Sequence, residues 1–114
     1  MADIKLLKHG PIAEIQLTRP EVLNAMGRAW PVEMQAALAE VSQDPKIRAV
    51  LMTGAGRSFC SGVDLTQLAA GEIEPGWFHD NEPVFRAIET LDKPVIAGIQ
   101  GHCLGERLGT SIHK

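Results

Sequence analysis

The residues best suited to chemistry lie in the run Arg57-Ser58-Phe59-Cys60-Ser61-Gly62-Val63-Asp64-Leu65, directly after the apolar stretch Ala49-Val50-Leu51-Met52-Thr53. An apolar strand that ends in a glycine-containing turn and passes at once into a helix leaves backbone N–H groups without intrahelical acceptors. Such donors are fixed before any charge appears, and they stabilise negative charge as it develops on a carbonyl oxygen. The chemistry this spacing favours is that of a carbonyl compound reacting through an oxyanion or enolate. Taken alone, the same turn is equally well explained as an ordinary strand-to-helix loop whose serine and aspartate cap the helix.

The flanking sequence predicts the elements that would hold this turn. Ile4 to Leu7 and Ile12 to Leu17 are β-prone runs around His9-Gly10-Pro11, which predicts an N-terminal hairpin. From about Gly27 to Val41 the spacing becomes helical, with Trp30, Met34, Ala37, Leu38 and Val41 on one face and Glu33 and Glu40 elsewhere. Gln43-Asp44-Pro45 closes that helix. The nearly all-apolar Ala49–Thr53 run predicts a parallel strand covered on both faces. A short helix containing Asp64, Leu65 and Leu68 should follow the turn, then an exposed loop from Gly71 to Gly76. Val84, Phe85, Ile88 and Leu91 mark another amphipathic helix, ended by Asp92-Lys93-Pro94. Val95-Ile96-Ala97-Gly98-Ile99 reads as a second buried strand. The order strand, helix, strand calls for α/β layering with a crossover connection.

Composition narrows the field of functions. The chain has 114 residues, 45% hydrophobic content and a formal net charge of -3, the profile of one soluble domain. Without a Lys/Arg cluster, nucleic acid is not an expected partner. Cys60 and Cys103 form no CxxC pair and lack ligand-spaced histidines, so reduced thiols and no metal site are expected. No long apolar run follows the N-terminus, so no signal peptide and no membrane span is expected, and a cytoplasmic location fits. Gly54-Ala55-Gly56 follows a strand, yet Phe59 stands at the third glycine position of a dinucleotide fingerprint, which argues against a nucleotide site of that kind. Ser111-Ile112-His113-Lys114 has the form Ser-x-x-Lys but is terminal, and His79 reads as a surface residue before a helix.

Three segments in series resemble the crotonase superfamily, the enoyl-CoA hydratases and isomerases. Leu17-Thr18-Arg19-Pro20-Glu21-Val22-Leu23-Asn24-Ala25-Met26 is similar to that family's Pro-x-x-Leu-Asn-Ala loop. Ser58-Phe59-Cys60-Ser61-Gly62-Val63-Asp64-Leu65 resembles its oxyanion turn, and Lys93 to Gly105 its strand into a second, glycine-rich turn. The resemblance covers residues 4–105 and implies an α/β fold, the N-terminal part of the crotonase-type ββα spiral. It divides the chain into a core portion, 1–105, and an atypical tail, 106–114. It further implies that the Ser61 backbone N–H is one donor to the thioester oxygen of an acyl-CoA, with Gly62, Val63 and Asp64 shaping the same wall and Asp64 capping the next helix. Val22, Leu23 and Ala25 would line the groove for coenzyme A, although plain packing on the core explains them too. Arg19 is either a contact for coenzyme A phosphates or a solvated loop residue, and the motif position of His102 supports a turn.

The resemblance implies addition of water to, or double-bond migration in, a 2-enoyl-CoA thioester, with no cofactor beyond the coenzyme A of the substrate. It also implies a homo-trimer or hexamer. The series departs from the pattern after Gly105. Glu106 stands at the second backbone donor, where glycine is expected, Arg107 replaces the next glycine, and Gly109 occupies the place of a water-delivering glutamate. A second catalytic glutamate would lie beyond Lys114. The expectation is an incomplete enzyme of this type with weak or no hydratase activity. The alternative is a non-catalytic CoA-thioester binder or a subunit completed by another chain.

Overall fold

The computed structural model describes residues 3–56, 59–60, 62, 64–74 and 76–98. Arg57, Ser58, Ser61, Val63 and everything from Ile99 onward, including His102, Cys103, Glu106, Arg107 and Gly109, lie outside the described residues.

The hairpin forms as the alternation predicts. Strands β1 (Ile4–His9) and β2 (Ile12–Leu17) pair antiparallel, Ile4 opposite Leu17 and His9 opposite Ile12. After β2 the chain makes a single 3₁₀ turn at Pro20–Val22 and then enters helix α1 (Trp30–Gln43). It returns as β3 (Ala49–Gly54), which pairs parallel with β2, Ile15 opposite Met52. Helices α2 (Leu65–Ala69), α3 (Trp77–Asp80) and α4 (Glu82–Glu89) follow. Strand β4 (Val95–Ala97) then joins β3 in parallel, giving the sheet order β1-β2-β3-β4. This is the α/β layering expected from the sequence.

One face of the sheet carries the core. Ala13, Ile15 and Leu17 of β2, Val50 and Met52 of β3, and Val95 and Ala97 of β4 are buried, as successive side chains alternate between faces. Trp30, Met34, Ala37, Leu38 and Val41 of α1 are buried in the same cluster, so the helical stripe seen in the sequence is the packed one. Burying a large apolar side chain of this kind contributes about 1.5–3 kcal/mol each. Trp30, Trp77 and Phe85 tie α1, α3 and α4 together: Trp30 stacks on Phe85 with centroids 5.5 Å apart, and Trp77 meets Phe85 edge-on at 5.9 Å. The Trp30 indole N–H is buried there without a hydrogen-bond acceptor among the described residues.

Several boundaries and faces differ from the sequence reading. Helix α1 begins at Trp30 rather than Gly27, because Pro31 is tolerated only in the first turn, where its missing N–H has no partner to lose. Helix α4 likewise begins at Glu82, with Pro83 in its first turn, and ends at Glu89, so Leu91 lies beyond it. Ala49, Leu51 and Thr53 are only half-buried and Ile96 is 47% exposed, so β3 and β4 are covered on one face rather than two among the described residues. The expected exposed loop from Gly71 to Gly76 drives Ile73 into the core at 6% exposure. His79 is exposed and precedes α4 as expected, and it lies within the short helix α3.

One lysine fastens the second crossover. Lys93 Nζ donates to the carbonyls of Val41 at 2.6 Å and Asp44 at 2.8 Å, at the C-terminal end of α1 where a cation is favoured. Lys93→Met should lower unfolding stability by about 1–2 kcal/mol, the usual cost of losing charge-assisted hydrogen bonds. Urea denaturation followed by tryptophan fluorescence measures this, and an unchanged midpoint would show that the contact is energetically idle.

Candidate functional site

The turn after β3 is held at both ends by buried residues. Phe59 and Cys60 are fully buried and Asp64 is 4% exposed. Gly62 has φ +105, a region that L side chains avoid, which explains why glycine is needed at this position. The carbonyl of Gly62 accepts from the Met26 N–H at 2.6 Å, and the Asp64 N–H donates to the Met26 carbonyl at 3.0 Å. The chain segment carrying Met26 therefore pairs directly with the turn.

Asp64 is the N-cap of α2, as the sequence suggested for its side chain, and lies just outside the helix rather than within it. Its Oδ1 accepts from the Thr66 N–H at 3.0 Å and the Gln67 N–H at 3.2 Å. Its other oxygen, Oδ2, accepts from Arg19 Nη2 at 2.9 Å. Burial pushes the Asp64 carboxyl up, but the Gln67 N–H, the Arg19 guanidinium and the Thr66 N–H together outweigh it and hold the group below the ordinary carboxylate value.

Arg19 is neither a solvated loop arginine nor a free phosphate contact. Its side chain is 16% exposed and is engaged by three segments: Asp64, the Ala25 carbonyl at 3.2 Å through Nη1, and Asp3 at 3.6 Å through Nε. A cavity of about 670 Å³ opens beside it, lined among others by Asp3, Glu21, Glu33 and Glu72. Those carboxylates would repel phosphate. Asp3 is shifted the other way from Asp64: burial raises its pKa, and the more distant Arg19 nitrogen offsets this only in part.

The loop before α1 is shaped by Asn24, which the sequence reading quoted in its motif but gave no role. Asn24 is 2% exposed; its Oδ1 accepts from the Arg19 N–H at 2.7 Å and its Nδ2 donates to the Ala55 carbonyl at 2.8 Å. Leu23 and Asn24 both adopt left-handed backbone, φ +54 and +56, which asparagine tolerates and leucine does not. Consecutive left-handed residues cost free energy and persist only where surrounding contacts impose them. Gly56 adds to the clamp: a Cβ there would lie 2.8 Å from the Pro20 Cβ. Val22 and Leu23 are half-buried and Ala25 is buried. The structure thus joins Val22, Leu23 and Ala25 to Gly62 and Asp64 through Met26 and Arg19. Among the described residues, no group of three His, Cys, Asp or Glu side chains is placed to hold a metal ion, and no helix is long and apolar enough to cross a membrane.

The sequence model of the enoyl-CoA hydratase/isomerase family matches residues 8–110, and the chain belongs to that family. It is 36% identical to the mitochondrial Delta(3,5)-Delta(2,4)-dienoyl-CoA isomerase of Rattus norvegicus over 82% of its own length and 33% of that protein's. It is 37% identical to the short-chain-enoyl-CoA hydratase of Clostridium acetobutylicum, over 90% of this chain and 41% of that one. Among solved structures, an enoyl-CoA hydratase/isomerase from Xanthobacter autotrophicus Py2 superposes with a TM-score of 0.80 at 29% identity, covering 90% of this chain and 40% of that chain. The fold is therefore that of the crotonase superfamily, and the chain spans between a third and about two fifths of the length of these relatives.

Two outcomes follow from the clamp. Asn24→Ala removes the two side-chain hydrogen bonds to the Arg19 N–H and the Ala55 carbonyl and the residue best able to hold left-handed backbone, and should cost about 2–3 kcal/mol in urea unfolding; a loss below about 0.5 kcal/mol would show the loop to be held otherwise. Because the folded-state pKa of Asp64 is depressed, its stabilising contribution is fully present above the unfolded value of about 3.9 and is lost as pH falls through the folded value. The urea midpoint of the natural chain should therefore fall more between pH 7 and pH 3 than that of Asp64→Asn, and equal falls would contradict the assignment.

Proposed function

We propose that this chain serves acyl-CoA thioester chemistry of the enoyl-CoA hydratase/isomerase type, with the Ser61 backbone N–H as one donor to the thioester oxygen. The observation that carries the reading is the pairing of Met26 with Gly62 and Asp64, which joins the two segments the chemistry needs. One segment, Val22, Leu23 and Ala25, would receive coenzyme A. The other, Ser61 to Asp64, would receive the carbonyl. The relatives' names supply the substrate class, an unsaturated acyl-CoA.

In this mechanism the thioester oxygen gains negative charge as water adds to the double bond or as a proton leaves the carbon next to the carbonyl. A pre-aimed N–H stabilises that charge more than it stabilises the neutral ground state, and this difference lowers the barrier. Gly62 and Asp64, both hydrogen-bonded to Met26, restrain the turn so that little reorganisation is needed when the charge appears. The second donor falls at Glu106. The same reading carries a cytoplasmic location, coenzyme A only as part of the substrate, and assembly as a trimer or hexamer.

A second reading is favoured by one feature of the sequence. Gly109 stands where a glutamate would deliver water, and Glu106 stands where a glycine would donate. On that reading the chain binds the CoA thioester without turning it over.

Both readings require the Ser61 N–H rather than its hydroxyl, which a titration with acetoacetyl-CoA, an enolate-like thioester, tests. Ser61→Ala should bind within about 2-fold of the natural chain, whereas Ser61→Pro, which lacks the N–H, should bind at least about 10-fold more weakly. Equal loss in both variants would contradict the backbone assignment. Crotonyl-CoA hydration by the same preparation separates the readings, since turnover that falls with Ser61→Pro supports the enzyme and binding without turnover supports the binder.

A further inference from the structure

The geometry points to Arg19 as a positioning residue that couples the coenzyme-A-facing loop to the thioester-facing turn, so that its removal costs thioester recognition before it costs recognition of coenzyme A itself. This rests on the functional reading above and extends it to a residue that the reading does not use.

The Arg19 guanidinium is shared among three segments of the chain. Nη1 donates to the Ala25 carbonyl in the loop, Nη2 to Asp64 Oδ2 beside the turn, and Nε faces Asp3 ahead of β1. A planar fork can serve three such acceptors at fixed angles, and a lysine ammonium cannot reproduce that geometry. The side chain is 16% exposed and Asp64 5%, so the pair is screened little by water. Arg19 also fits tightly. A Cβ built on Gly27 would lie 2.6 Å from Nη1 and 2.9 Å from Gln67 Oε1, so the absence of a side chain at Gly27 makes room for the guanidinium.

The two sides of this bridge do not depend on it equally. The loop keeps its own fastenings without the guanidinium: the Arg19 backbone N–H to Asn24, Asn24 to the Ala55 carbonyl, and the Asn24 N–H to the Arg19 carbonyl at 2.8 Å. The turn side loses more. Asp64 would keep the Thr66 and Gln67 N–H donors on Oδ1 but lose the cation on Oδ2, and a buried carboxylate without its cation is costly enough to rearrange its surroundings. Loosening should therefore concentrate at Gly62 to Asp64, where the carbonyl is received, and spare Val22 to Ala25.

The test is calorimetric titration of the 114-residue chain with acetoacetyl-CoA and with free coenzyme A, alongside urea unfolding. Arg19→Met should weaken acetoacetyl-CoA binding about 10-fold, the size of a typical coupling between sites, while free coenzyme A stays within about 2-fold. Arg19→Lys should not restore the thioester preference. Adding Asp64→Asn to Arg19→Met should recover stability, by removing the orphaned charge, without recovering that preference. Gly27→Ala, which displaces the guanidinium but keeps every charge, should shift the two ligands in the same selective way even if Arg19→Met fails to fold. Equal weakening of both ligands in Arg19→Met and Gly27→Ala, or no weakening in either, overturns the positioning role alone. A natural chain that binds neither ligand overturns the functional reading and this inference together.

Discussion

The constraint on which this structure depends is that a short turn of extended and left-handed backbone must be held still at the end of a strand. Hydrogen bonds within a helix do not do this, because none of the described residues between β3 and α2 is helical. The chain solves the problem by bringing the loop after β2 alongside, so that Met26 pairs with Gly62 and Asp64. Arg19 and Asn24 then fasten that loop to Asp64, Asp3 and the Ala55 carbonyl. The parallel pairing of β2 with β3 makes this possible, since it places the ends of both strands side by side, Leu17 opposite Gly54.

The surrounding architecture follows from that arrangement. Two parallel strands joined in sequence need a crossover, and α1 provides it while burying its apolar stripe on one sheet face. Lys93 holds the end of α1, and the Trp30, Trp77 and Phe85 cluster packs the later helices against its start. Among the described residues, the left-handed non-glycine backbone falls in that loop, at Leu23 and Asn24. The arrangement spends conformational free energy where a ligand would be received and recovers it in the core.

How much of this was legible in the sequence varies with the range of the interaction. The alternation in β2 and the helical stripe of Trp30, Met34, Ala37, Leu38 and Val41 are local patterns, and both elements formed with those faces buried. Helix α1 starts at Trp30 rather than about Gly27 because Pro31 takes a place in its first turn; Pro83 takes the same place in α4, for which the apolar spacing set no start. Asp64 was readable as a cap because the cap acts within three residues. Arg19 was not readable, because its partner Asp64 is 45 residues away and nothing local distinguishes a buried loop arginine from a solvated one. Asn24 was visible within a motif, but its left-handed backbone and its bond to Ala55 depend on tertiary contact. Ile73 looked like part of a polar loop because its neighbours are polar, and only packing shows that it enters the core. Ser61, Val63 and Glu106 lie outside the described residues, so their roles rest on the family resemblance and on the anchors that flank Ser61.

The central claim is that the backbone turn between Cys60 and Asp64 receives the carbonyl of an acyl-CoA thioester. A crystal structure of the chain with acetoacetyl-CoA tests it most directly. The account predicts the thioester oxygen at about 2.7–3.1 Å from the Ser61 nitrogen, with coenzyme A against Val22, Leu23 and Ala25. A thioester bound elsewhere, with the Ser61 N–H turned away from it, would contradict the account.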